Sequence, residues 1–430
     1  MKSRFNFKTM FFGLVAVAMA SPIAAQNMDF QPDLQFYRQP GFQGLNVFET
    51  SKEDNVPFDG LKVRVGGDFA LQFQGIGHSN ENPGIGDSLS DLSSNFNLPT
   101  ANLNIDVQLA DGMRMHLRTY LSSRHHNEAW VKGGYIQIDK LDWISEGFGE
   151  SVMKMLTIKI GMNDINYGDA HYRRTDNAMA IYNPFVGNYL MDSFTTEAFG
   201  EVVIQKNGII GVVGITNSKL NQNVKNPNED IVPTFYGKLG YDSQVNEDLR
   251  VRITGSVLYS GGYGNGGYLY SGDRGGSRYY HVMETDAQDN FRSGRYSPGF
   301  KKFTSFQINP FVKWKSLEFF GVFEVASGDK SEAATGGSVT QLGAEALYRF
   351  GSKEQFYVGG RYNSVSGKET EDGADLGISR IQGGFGWFMT HNVLTKLEYV
   401  TQDYSGAAYD GTQFQGGNFN GIVLEAVIGF

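Results

Sequence analysis

The sequence predicts an all-β protein, a transmembrane antiparallel β-barrel of about 16 strands whose third long loop folds inward. Three observations predict this fold class. Apolar and polar residues alternate with a period of two from residue 61 to the end, as in strands with two different faces. The connections between these segments are short and long in turn. Charged residues make up only 19%, whereas 55 residues are Gly and 13% are aromatic, which suits tight turns and aromatic girdles.

The first 25 residues have the pattern of an export signal. Lys2, Arg4 and Lys8 precede an apolar run that ends in small residues near Ala25. Removal of residues 1–25 takes three positive charges from a formal net charge of −9 and leaves −12. A chain of this charge is a poor partner for nucleic acid, so none is expected.

Cysteine is absent, which excludes disulfides and thiolate chemistry. We find no His/Asp metal triad and no phosphate-cradling glycine motif, and we interpret the acidic clusters 228–230 and 286–289 as solvated loop charges, with calcium binding as the alternative, so neither a metal nor a cofactor is expected. No catalytic residues are assigned. His125 and His126 beside Ser122 and Ser123 leave a barrel-type hydrolase open as an alternative.

Residues 26–60 are mixed and turn-rich, without a sustained period. We interpret them as a short periplasmic N-terminal segment packed at the barrel mouth, followed by the barrel at 61–430. A transporter for hydrophobic compounds is the second alternative. It would need an apolar lumen and an N-terminal hatch, and this segment is polar and short.

The alternation defines sixteen strands. Segments 232–243 and 317–326 alternate least cleanly, so fourteen or eighteen strands remain alternatives. The last segment alternates Ile422, Leu424 and later apolar residues with a second face up to Phe430, as the closing strand of a barrel requires. The predicted strands are 61–74, 102–109, 113–121, 129–139, 155–163, 194–205, 209–217, 232–243, 248–260, 303–315, 317–326, 338–350, 354–366, 376–389, 393–404 and 419–430.

The connections give an independent test. Short turns at one rim and long loops at the other are typical of an outer-membrane barrel with both termini in the periplasm. One connection on the short side, 140–154, has apolar residues at intervals of three and four and predicts an amphipathic helix. Loop 261–302 is rich in Gly and Tyr and is expected to be a flexible surface loop; an adhesin acting through it is a further alternative. The long loops are 76–99, 124–128, 164–193, 218–231, 261–302, 327–337, 367–375 and 405–418.

The polar member of each alternation is assigned to the lumen. The cations in this set outnumber the acids, and a comparatively basic wall concentrates small anions in a narrow water column. A mixed polar wall of a general diffusion pore is the alternative. The acids are Asp68, Asp106, Glu197, Glu201, Glu345, Glu398 and Glu425. The predicted pore-lining cations are Lys62, Arg64, Arg114, Arg118, Lys159, Arg250, Arg252, Lys313, Arg349, Arg361, Arg380 and Lys396.

Loop 164–193 is the predicted pore constriction. It is about thirty residues long and rich in aromatic residues, which favours burial against the barrel wall over exposure to solvent. Arg173 and Arg174 could offer forked donors to phosphate or carboxylate. An ordinary extracellular loop is the alternative. The charged residues assigned to the constriction are Asp169, His171, Arg173, Arg174 and Asp176.

With these features together, the chain resembles Gram-negative porins and looks most like the phosphate-selective porin O and P family. The segment Ile160-Gly161-Met162-Asn163, followed by Tyr167-Gly168-Asp169 to Asp176, is similar to the strand and constriction loop of such proteins. The resemblance implies a signal peptide, sixteen strands, a pore narrowed by the third long loop and trimeric assembly.

The expected function is passive diffusion of small hydrophilic solutes across the outer membrane, with a leaning toward anions and phosphate as one candidate. The expected partners are the lipid bilayer, the solutes and two further copies in a homotrimer. We do not expect an enzyme.

Overall fold

The computed structural model describes residues 31–81, 88–97, 99–122, 130–218, 232–265, 268–270, 278–289 and 291–430. The predicted signal peptide lies outside these residues, as do His125 and His126. Sixteen antiparallel strands form a closed ring, which confirms the predicted barrel and its strand count. They are β1 (Lys62–Ser79), β2 (Thr100–Ala110), β3 (Met113–Ser122), β4 (Trp130–Ile138), β5 (Leu156–Asp164), β6 (Thr196–Lys206), β7 (Ile209–Thr216), β8 (Thr234–Asn246), β9 (Leu249–Ser260), β10 (Lys302–Trp314), β11 (Leu317–Asp329), β12 (Gly337–Phe350), β13 (Phe356–Lys368), β14 (Leu376–Thr390), β15 (Val393–Ser405) and β16 (Asn418–Gly429).

The last strand closes the ring. β16 pairs with β1 over the register from Asp68 opposite Gly429 to Ser79 opposite Asn418. A two-residue strand, Asn95–Phe96, also pairs with β1 but lies outside the ring. Lipid cannot hydrogen-bond a free strand edge, so closure satisfies the backbone of every strand at once.

Helices are few and short. Within the described residues, the 3₁₀ turns are Gly41–Gly44, Ala170–Arg173, Tyr263–Asn265, Tyr268–Tyr270 and Ala407–Tyr409, and Glu150–Met153 forms an α-helical turn. No helix in the described part of the chain is long and apolar enough to cross a membrane.

The amphipathic helix predicted at 140–154 is therefore largely wrong. Only the turn Glu150–Met153 is α-helical. Gly147 and Gly149 have φ values of +71° and +68°, and this left-handed backbone interrupts a continuous helix.

The apolar faces of the strands point outward. In β12, Leu342 is 50% exposed, whereas its neighbours Gln341 and Glu345 are 0% and 1% exposed. Val213 and Leu239, on β7 and β8, are each 69% exposed. An apolar exterior around a polar interior is the arrangement of a membrane-spanning barrel.

A lysine in the middle of this outer surface is expected to destabilise the protein strongly. Leu342→Lys, near the centre of β12, should cost about 2–4 kcal/mol of unfolding free energy, because the ammonium must enter hydrocarbon. Leu317→Lys, at the end of β11, is the matched control and should cost about 0–1 kcal/mol. Urea titration of the protein folded into lipid vesicles measures both values. Equal costs would contradict the position of the membrane on the barrel.

The interior is filled by chain segments. Residues 31–56 enter from the rim of short turns, and residues 165–195 together with the described part of 261–301 fold in from the rim of long loops. Tyr279 and Arg278, in the third of these segments, are 0% and 1% exposed. The prediction of a flexible surface loop at 261–302 is thus wrong for its described part.

Candidate functional site

Residues 165–195, here called the inward loop, connect β5 to β6 and lie almost wholly buried inside the barrel. The loop has little regular structure, so lumen-facing side chains pair with its backbone. The Val186 N–H donates to Glu398 at 2.7 Å, and the Met191 N–H donates to Gln341 at 2.9 Å. Conversely, Arg361 donates to the Gly187 carbonyl at 2.8 Å. These bonds hold the loop against the wall formed by β12 to β15.

Asp169 is the most strongly bonded group of the inward loop. Its carboxylate is 0% exposed and accepts from Arg252, Lys238 and Thr254, each at 2.8 Å. Burial raises the pKa of this carboxyl, but Arg252 and Lys238 outweigh it and hold the pKa well below its usual range. Asp169 is therefore a carboxylate at neutral pH and pins the loop to β8 and β9.

The two arginines of the inward loop are bonded to carboxylates. Arg173 donates to Glu345 from Nε at 3.1 Å and from Nη2 at 2.7 Å. Arg174 makes a forked pair with Asp192 at 2.8 and 2.6 Å. Both guanidinium groups are thus occupied by protein acids, and they hold the loop in place.

The remaining predicted constriction residues are also paired. Asp176 accepts from Arg118 at 3.2 Å and bonds Lys132. The ring of His171 bonds Asp164 at 2.9 Å and Asn166 at 3.1 Å. Burial lowers the pKa of His171, although the bond to Asp164 raises it, so the imidazole is mainly neutral at pH 7.

Ten of the twelve predicted pore-lining cations have a carboxylate within 4 Å among the described residues. Arg64 and Arg380 instead donate to carbonyl oxygens, those of Gln31 and Asn188 respectively. The wall carries many cations, but most of their charge is matched by a neighbouring acid. The ten pairs are Lys62–Asp59, Arg114–Asp106, Arg118–Asp176, Lys159–Glu201, Arg250–Asp242, Arg252–Asp169, Lys313–Glu354, Arg349–Glu318, Arg361–Glu345 and Lys396–Glu425.

Three of the charged groups inside the barrel were missed by the sequence analysis. Lys238 lies on β8, and Glu318 and Glu324 lie on β11, the two strands whose alternation was least clear. Glu324 is 0% exposed and accepts from Tyr270 at 2.8 Å. The sequence did contain a signal for the two glutamates. Glu318 and Glu324 are six residues apart, an even number, so both side chains lie on the same face of an otherwise apolar strand.

Residues 31–56, here called the N-terminal segment, contact the same charged groups as the inward loop. Phe48 is 3% exposed and packs edge-on against Phe311 with ring centroids 5.4 Å apart. Glu49 pairs with Arg252 at 2.8 Å and with Lys238 at 3.3 Å. Burial raises the pKa of Glu49, but the two cations lower it to about 2. Arg252 and Lys238 therefore link the N-terminal segment to the inward loop through Asp169.

A polar cavity of about 170 Å³ remains between these segments and one side of the wall. The lining side chains come mainly from β1 to β6, the N-terminal segment and the inward loop. They include Tyr37, Arg38, Arg114, His116, Lys159 and Asp164. The opposite wall is covered by the inward loop, so this cavity is the candidate route through the barrel.

No family model and no curated protein matches this chain in sequence. Solved structures match in fold. The anion-selective porin from Comamonas acidovorans has a TM-score of 0.53 at 9% identity, covering 86% of this chain and 100% of that chain. OmpT, an outer membrane protein of Vibrio cholerae, has a TM-score of 0.51 at 11% identity, with coverage of 87% and 99%. The outer membrane channel DcaP of Acinetobacter baumannii has a TM-score of 0.51 at 9% identity, with coverage of 86% and 98%.

At these identities the likeness concerns the fold, which is that of outer-membrane porins. A closed barrel satisfies its own backbone hydrogen bonds and can therefore span a bilayer with its apolar exterior against lipid. Barrels of this kind are typical of outer membranes. The chain is therefore an outer-membrane β-barrel. Its short turns lie on the side that faces the periplasm in such barrels.

Proposed function

We propose that this protein is a diffusion channel for small hydrophilic solutes. The observation that carries the proposal is the polar cavity of about 170 Å³ inside a closed membrane barrel. A barrel of about 16 strands is wide enough to hold water as well as side chains. The cavity admits small polar molecules, and its lining offers hydrogen bonds in place of bulk water.

The proposed route follows the wall of β1 to β6. The inward loop and residues 278–289 and 291–300 occupy the other side, where Tyr279 donates to Glu398 at 2.6 Å and Arg380 to the Asn188 carbonyl at 2.7 Å. Solutes would then pass the side chains of Arg114, His116 and Lys159, which line the cavity.

We propose a modest anion preference. Four cations line the cavity against four acids, so the charges balance formally. The acids, however, all accept hydrogen bonds from neighbouring side chains, whereas Arg38 has no carboxylate within 4 Å among the described residues and donates to the Gly44 and Tyr172 carbonyls. The cations are Arg38, Arg114, Arg118 and Lys159, and the acids are Asp68, Asp106, Asp164 and Glu201. Phosphate specificity and membership of the phosphate-selective family are implied by the sequence resemblance and stay predictions.

Planar-bilayer recording tests the proposal. The protein refolded in detergent should give discrete conductance steps in potassium chloride, and the reversal potential in a salt gradient should favour chloride by a few-fold. A heat-unfolded sample is the control. Absence of steps from folded protein would contradict the channel, and a reversal potential favouring potassium would contradict the anion preference.

The other candidate functions receive less support. A transporter for hydrophobic compounds needs an apolar route, whereas this cavity is lined by charged and polar side chains. The hydrolase alternative depends on His125 and His126. Hydrolytic activity that disappears on substitution of either histidine would support this alternative. We propose a non-enzymatic protein assembled as a homotrimer, and the mass of the complex in detergent checks that assembly.

A further inference from the structure

The two cations Arg114 and Lys159 share one row across the cavity wall. Arg114 on β3 is opposite Gln137 on β4, which is opposite Lys159 on β5, which is opposite Glu201 on β6. Because neighbouring strands are about 4.8 Å apart, the backbones of Arg114 and Lys159 are about 10 Å apart. Both side chains line the cavity.

These two cations keep hydrogen-bond donors that the protein does not use. The Lys159 ammonium makes no hydrogen bond to the described residues, its side chain is 22% exposed, and its nearest acid is Glu201 at 3.8 Å. Arg114 is 5% exposed and donates from Nη2 to Gln137 at 2.6 Å, whereas its Nη1 makes no hydrogen bond to the described residues and lies 3.7 Å from Asp106. The unused N–H groups of Arg114 Nη1 and of the Lys159 ammonium would each gain from an acceptor supplied by a ligand.

The acids that line the cavity, in contrast to these cations, accept hydrogen bonds from neighbouring side chains. Asp106 accepts from His116 at 2.8 Å and from Tyr37 at 3.3 Å. Glu201 accepts from Tyr236 at 2.9 Å, and Asp164 bonds His171 at 2.9 Å. These acids each accept at least one hydrogen bond from the protein, whereas the Lys159 ammonium makes none to the described residues, which favours an oxyanion over a cation as the ligand.

The same acids limit the charge of that ligand. Asp106 lies 3.7 Å from the Arg114 guanidinium, and Glu201 lies 3.8 Å from the Lys159 ammonium. Each cation is therefore partly neutralised, and a doubly charged anion would meet repulsion from both carboxylates. A singly charged oxyanion gains the free donors at a lower electrostatic cost.

We propose that Arg114 and Lys159 form a binding subsite for small monocarboxylates within the cavity. The proposal rests on the proposed channel function and names its substrate class. A carboxylate accepts from Arg114 Nη1 and from the Lys159 ammonium through charge-assisted hydrogen bonds. Its carbon skeleton lies beside the ring of Tyr135, which also lines the cavity.

Two measurements on the full-length protein test the subsite. Single-channel conductance is recorded in graded sodium acetate, sodium chloride and sodium phosphate at pH 8, where phosphate is mainly a dianion. Acetate conductance should saturate, since a binding site limits flux, whereas phosphate conductance should stay nearly linear. Calorimetric titration of acetate into the protein in detergent measures binding independently of conduction.

Lys159→Gln should raise the half-saturating acetate concentration about tenfold, the effect of losing one charge-assisted hydrogen bond. Lys313→Gln is the matched control, because it removes a lysine that pairs with Glu354 away from this cavity. Linear acetate conductance without calorimetric binding, equal effects of the two variants, or stronger saturation by phosphate would each overturn the subsite. Acetate binding without conductance in any salt would instead overturn the channel and leave the subsite standing.

Discussion

Asp169→Asn is expected to loosen the inward loop and to raise the single-channel conductance several-fold. The substitution leaves Arg252 and Lys238 buried with Glu49 as their remaining shared acid. Removal of one partner from a buried ion pair costs about 3–5 kcal/mol, because the other charge stays desolvated. Since Asp169 binds Arg252, Lys238 and Thr254 at once, its loss frees the start of the loop. The first part of the loop can then move away from β8 and β9, and the open cross-section increases.

The matched control is Asp242→Asn. Asp242 also pairs with Arg252, at 3.1 Å, but it belongs to β8 and contacts no residue of the inward loop among its described ion pairs. Its substitution should lower stability modestly and leave the conductance near that of the parent. Bilayer recording and urea unfolding of both variants measure the two effects. An unchanged conductance in Asp169→Asn would show that the loop is held without this carboxylate.

The double substitution Phe48→Ala with Glu49→Gln is expected to release the N-terminal segment. Phe48 is 3% exposed and packs on Phe311, and the Arg252 guanidinium lies 4.2 Å from its ring centroid. Truncation of a buried Phe costs about 3–5 kcal/mol, and the loss of the Glu49 charge adds to it. The released segment should expose Arg38 and Lys52 to trypsin and widen the periplasmic end of the channel.

Trypsin cleavage followed by mass spectrometry and bilayer recording measure this release. Phe58→Ala is the control, because Phe58 is 38% exposed and its truncation should change neither readout. Protection of Arg38 and Lys52 in the double variant would contradict the role of Phe48 and Glu49 as the anchor.

The alternation and the turn spacing were sufficient to predict the barrel. Side-chain period fixes which face meets lipid, and a chain of such strands must close to satisfy its edges. Even the irregular segments at 232–243 and 317–326 each form one strand, Thr234–Asn246 and Leu317–Asp329. The alternation of 317–326 is weak because the inward-facing Phe320 and Val322 are apolar, and both are buried in one cluster with Phe48 and Tyr189 of the inserted segments.

The ion pairs of the lumen could not be predicted in the same way. Arg173 binds Glu345, which is 172 residues away in the sequence. Glu49 binds Arg252, but Glu49 lies in a segment that lacks the period-two alternation of a strand. Such pairs depend on the path of the inserted segments, which no local pattern encodes. The Gly- and Tyr-rich loop shows the same limit. The tyrosines of this loop were expected at the surface, but Tyr279 is buried and donates a hydrogen bond to Glu398.

We expect the proposed water-filled route to follow the wall of β1 to β6 and to avoid the opposite wall. Because the parent chain contains no cysteine, single cysteines can report water access without background labelling. Lys159→Cys lines the cavity, whereas Asn363→Cys replaces a 0% exposed residue that bonds the inward loop at Leu190. A small negatively charged thiol reagent added during bilayer recording should react rapidly at position 159, reduce the conductance, and leave position 363 unmodified. Rapid labelling at 363 with no reaction at 159 would contradict this route through the barrel.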